Sequence, residues 1–158
     1  MNLSPGFFSS TLVWRSRTID PAQHFAVRVK GRYAKPISRH AFTTVMGNFN
    51  RQAATLMRIA ALGQEQAQRM LLTGESGEGA RCVLHCALER SENIQGEFDD
   101  FIRPVSFNDS SAHLIVEGTL KALKRADHDI RNALKEIDAS LCECARKSVR
   151  KVTREAGS

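Results

Sequence analysis

FTTVMGNFNRQAATLMRIAALGQEQAQRM, residues 42–70, decides the fold. Phe42, Met46, Phe49, Ala53, Leu56, Ala60, Gly63, Ala67 and Met70 recur at spacings of four and three. That period places them on one side of an α-helix and makes a seam for other helices. A strand would need alternation by two, which is absent here. The second half of the seam is small (Ala60, Gly63, Ala67), so a neighbouring backbone can come close. Ser38, after Pro36, supplies an N-cap.

Two more helices follow on the same reasoning. Residues 78–102 carry Ala80, Leu84, Ala87, Ser91, Ile94, Phe98 and Phe101 on one stripe, with Pro104 as a stop. NDSS, residues 108–111, offers N-cap side chains for a third helix that runs to about Arg154. Its stripe is Val116, Leu120, Leu123, Ile130, Leu134, Ile137, Leu141 and Cys144, with Asp127 as the polar interruption. The expected class is therefore all-α. It is a three-helix up–down–up bundle, or an extended coiled-coil-like helical array, over residues 38–158.

Residues 1–37 read differently, as a basic, poorly structured N-terminal arm or a targeting segment. The chain has a formal charge of +6, and residues 1–45 hold seven cations against Asp20 alone. The remainder is balanced, which argues against a nucleic-acid binder. Nothing basic precedes the apolar FFSSTLVW (residues 7–14), against a secretory signal. HFAVRVK (residues 24–30) alternates apolar and polar residues and suits one short strand. No apolar run is long enough to span a membrane. Four cysteines without a secretory signal read as reduced thiols, and the expected compartment is the cytoplasm.

Three stretches carry possible chemistry. GESGEGAR, residues 74–81, resembles the Walker A loop of P-loop nucleotide-binding proteins through Gly74 and Gly79. Ala80 stands where the phosphate-binding lysine belongs, and Arg81 where the Mg²⁺-binding hydroxyl belongs. A turn between helices is the better reading. Cys82, His85 and Cys86 share a helical face, and folding the second helix tightly back on the third brings His128 to their level. Those four are the one metal-ligand set worth testing; no cofactor is expected. Arg146, Lys147, Arg150, Lys151 and Arg154 form a basic tail, a candidate contact for an anionic surface. Cations there also suit a helix C-terminus, and the absence of aromatics after Phe107 excludes base stacking by the tail.

Helix lengths point to a partner. The second helix has about 25 residues and the third about 44, a difference of roughly 28 Å at 1.5 Å per residue. Ile137, Leu141, Cys144 and Val152 then need cover from another copy or another protein. The expected role is non-enzymatic, a helical interaction or scaffold protein acting through self-association or a partner helix. NFNRQAATLMRIAALGQEQAQRMLL (residues 48–72) is similar in its Ala/Gln-rich texture to the helices of bacterial phasins, which coat polyester granules. That resemblance implies a surface-coating protein as one alternative; a degenerate P-loop-like or Cys/His metal-binding protein is the other.

Overall fold

The computed structural model describes residues 22–107 and 109–157. Readings that fall on residues 1–21 lie outside the described residues. The elements are β1 (His24–Val29), β2 (Arg32–Tyr33), β3 (Ile37–Ser38), α1 (Arg39–Thr73), α2 (Glu78–Ile102), β4 (Val105–Ser106) and α3 (Ser110–Ala156). The protein is mostly helical, three packed helices with one small sheet at the end where α1 begins.

α1 forms where its pattern placed it. The Ser38 hydroxyl accepts from the Ala41 N–H at 3.0 Å. Gly74 closes the helix at φ 72°, with its N–H on the Met70 carbonyl at 3.1 Å. Glycine adopts this left-handed conformation without the Cβ penalty other residues meet. All nine residues of the 42–70 stripe are buried. Gly63 is a notch for α2, since a Cβ there would stand 2.8 Å from Leu84 Cδ1, and Leu84 is itself fully buried.

Cross-helix contacts give the directions. Asn50 Nδ2 donates to Thr119 Oγ1 (3.1 Å), Gln64 Nε2 to Glu136 Oε1 (3.3 Å) and the Cys144 thiol to the Met70 carbonyl (3.5 Å). The two series rise together, so α1 and α3 are parallel. α2 runs against both: Arg90 donates to Gln52 (2.8 Å), Ser91 to Asp127 (3.3 Å), and Arg81 pairs with Asp138 (3.0 Å). This is the expected up–down–up bundle.

The α3 seam differs in its members from the expected stripe. Leu123, Ile130, Leu134 and Ile137 are buried, but so are Ala112, Thr119, Ala126, Ala133 and Ser140. Val116, Leu120, Leu141 and Cys144 are half-buried at its edges. The line that faces α1 and α2 alternates large and small residues, and close helix packing needs both kinds. Asp127 sits at the rim, where it accepts from Ser91 and from Arg131 Nε at 2.8 Å.

Residues 22–37 pair and pack as a hairpin, with β1 over the stretch read as a strand. Lys30 (φ 51°) and Gly31 (φ 75°) make its two-residue turn, and paired positive φ values match the twist of the flanking strands. β1 pairs Arg28 with Tyr33 and Phe25 with Ile37, so the register slips by one residue at Lys35 and Pro36. A bulge there accommodates a proline that has no N–H to donate. On its other edge β1 pairs with β4 through Ala26–Ser106 and Val27–Val105.

An aromatic cluster fastens this sheet to the bundle. Phe25, only 2% exposed, lies 5.1 Å from Phe42 and 5.4 Å from Phe107, ring centre to ring centre. The Arg39 guanidinium stands 4.5 Å over the Phe25 ring, donates to the Ala22 carbonyl and pairs with Asp109. One side chain thereby joins the hairpin, the start of α1 and the cap of α3.

Asp109 caps α3 by accepting from the Ala112 N–H at 2.7 Å. That bond, then the Ser111 hydroxyl and Arg39, hold its carboxyl down at about 2 against an ordinary 3.8. Each of these partners favours the ionised form. A depressed folded-state value stabilises the fold above the ordinary value, and the contribution fades as pH falls through about 2. Asp109→Asn should lower the urea midpoint at neutral pH, with the gap to wild type closing between pH 4 and pH 2. A gap independent of pH would show that the charge of the cap does not contribute.

Candidate functional site

The α2–α3 connection sets the register of everything downstream. The connection is not a tight reversal: Val105 and Ser106 pair with β1, and the Pro104 carbonyl accepts from Arg28 N–H at 2.7 Å. The chain therefore travels on past the end of α2 before α3 starts. With Arg81 opposite Asp138, Cys82 lies at the level of residue 137 and not of residue 130. The offset is about seven residues, roughly 10 Å of helix.

This register undoes the proposed metal set. His128 lies at the level of Ser91, is exposed, and its Nε2 is 2.9 Å from Asn132 Nδ2 on its own helix. Cys82, His85 and Cys86 are exposed on α2, turns away from it. Cys82, His85, Cys86 and His128 do not converge, and no group of three or more such ligands forms among the described residues.

The glycine run is a helix–turn–helix linker. Residues 70–73 before it are helical, so the strand that leads into a phosphate loop is missing. Gly77 precedes α2, and a Cβ on it would overlap the buried Met70 thioether. Gly74 serves chain reversal and Gly77 close packing.

The same register shift covers part of the expected interaction stripe. Ile137 is fully buried in the chain's own core, and Leu141 and Cys144 are half-buried against the end of α1. From Ala145 onward every described residue is exposed. The overhang of α3 is thus shorter than helix lengths alone imply: Ala145 to Ala156, about 18 Å. Val152, 64% exposed, is the one member of the expected stripe that stands on it.

The overhang has two faces. Ala145, Val149, Val152 and Ala156 follow at spacings of four, three and four, and Val149 is 65% exposed. At 3.6 residues per turn, Arg146, Lys147, Arg150, Lys151 and Arg154 spread over the other side, all exposed. Cations near a helix C-terminus complement its dipole.

A second surface was not legible as such in the sequence. Between α1 and α2, on the side away from α3, runs a shallow apolar groove of about 500 Å³ floored by Leu56, Ala87 and Ile94 and walled by Ile59, Val83, Cys82 and Cys86. It continues towards the turn, past Leu62, Gly63, Gln66, Gly79 and Ala80. Leu62 and Val83 are 64% and 54% exposed. The available signal was a second stripe on α1, Thr55, Ile59 and Leu62, at helical spacing beside the core stripe.

Asp109 and Arg131, whose ionisation is displaced, lie outside both surfaces. Asp109 belongs to the α3 cap, and Arg131 is raised by Asp127 and then Glu92, its ion-pair partners. These are structural pairs. No helix of the described residues is long and apolar enough to cross a membrane. Comparison with protein-family models, with curated proteins and with solved structures gives no match.

Proposed function

We propose that this protein is a non-enzymatic helical interaction protein that works through self-association, with a helix of another protein on the same surface as the alternative. The observation that carries this reading is the overhang of α3, in which Val149 and Val152 stand exposed on a helix no other part of the described chain covers. A projecting helix with an apolar stripe is stabilised by a second helix laid along it, and helical anchors at such spacing are a common recognition mode. The expected compartment remains the cytoplasm.

The surface-coating alternative loses its main support. Its texture came from residues 48–72, and the apolar stripe of that stretch is buried in the bundle core. A coating helix would need that stripe free for the apolar surface.

Sedimentation equilibrium of the full chain tests the reading. The expected mass is above 17.6 kDa and rises with concentration. A Val149→Asp/Val152→Asp variant should be monomeric with unchanged helicity, because neither side chain touches the body. A wild-type chain that stays monomeric at all concentrations would refute self-association.

A further inference from the structure

We infer that the α1–α2 groove is the seat of the overhang helix of a second copy, exchanged reciprocally in a twofold dimer. The inference rests on the self-association proposed above and names where the overhang goes.

Length is the first argument. The groove runs from Arg51 to Arg69 along α1, about 27 Å, and opens at the α1–α2 turn. That turn is at the same end of the bundle from which the overhang leaves. Two copies placed turn end to turn end send each overhang, about 18 Å long, down the other's groove. The incoming helix runs antiparallel to α1 and becomes the fourth helix of a bundle.

Area is the second. Half the surface of an 18 Å helix of about 10 Å diameter is roughly 300 Å². Matched by the groove and repeated twice by symmetry, the contact totals about 1,200 Å², the lower bound for a stable interface. Two overhangs laid against each other form one seam and bury about half of that, which is too little. Reciprocal seating is the arrangement that reaches a dimer.

The thiols already present allow a direct test in the full chain. Val152→Cys, combined with Cys142→Ser, leaves Cys82 and Cys86 as the exposed groove thiols. Mild oxidation followed by peptide mapping should give an intermolecular disulfide from position 152 to Cys82 or Cys86. Val83→Glu, an exposed groove-wall change, should weaken dimerisation at least tenfold with helicity unchanged. A disulfide between the two introduced thiols, or a dimer indifferent to Val83→Glu, overturns the groove while self-association stands. A wild-type monomer at every concentration overturns both.

Discussion

Replacing Phe25 by alanine is expected to destabilise the protein by about 3–5 kcal/mol, the range for truncating a buried phenylalanine. Phe25 is the one fully buried side chain of the hairpin, and it meets Phe42 of α1, Phe107 of the α2–α3 connection and the Arg39 guanidinium. Alanine would leave a cavity where these three elements meet. At this chain length the melting temperature should fall by on the order of 10 °C. Phe25→Leu, which keeps most of the volume, should cost clearly less. Thermal and urea unfolding of both variants measure this. A loss within about 1 kcal/mol for the alanine variant would mean that residues 22–37 fold as an accessory and not with the bundle.

Ile137→Ala separates intramolecular from intermolecular burial. Ile137 has no exposed surface and lies in the common core of the three helices. Its truncation should cost about 2–5 kcal/mol in the chain's own unfolding, independent of protein concentration. If Ile137 instead required a partner for cover, the loss would appear in association, and the unfolding of dilute protein would be unchanged. Val152→Ala, on the exposed overhang, should shift dilute unfolding by no more than about 0.5 kcal/mol. The contrast between two valine- and isoleucine-sized residues fifteen positions apart on one helix reports where the bundle ends.

Much of the fold could be read from residue spacing because helical periodicity is a local property. The nine-residue stripe of α1, the caps at Ser38 and Asp109, and the end of α2 near Pro104 each depend on neighbours within one or two turns. The α3 seam was read less well. Ala112, Ala126, Ala133 and Ser140 are buried for their smallness, and a search for large apolar residues passes over them. The hairpin was visible as a strand in HFAVRVK, but its stability was not. A short hairpin is marginal alone, and what holds this one is Phe25 against Phe42 and Phe107.

The candidate sites were legible only in part, since they depend on axial register. A short α2–α3 turn would have put His128 beside Cys82 and left Ile137 uncovered. Val105 and Ser106 of the connection pair with β1 instead, and α3 is carried about 10 Å further along. That displacement takes His128 away from the cysteines, closes the core over Ile137 and shortens the overhang to Ala145–Ala156.

By itself, then, the sequence determined three helices, the facing stripes of α1 and α2 and the turn between those two helices, because backbone hydrogen bonding and side-chain spacing act within a few residues. Tertiary structure alone decided the register of α3, the docking of the hairpin and the groove between α1 and α2. Those follow from contacts between residues as far apart as Phe25 and Phe107, whose energies no local pattern contains.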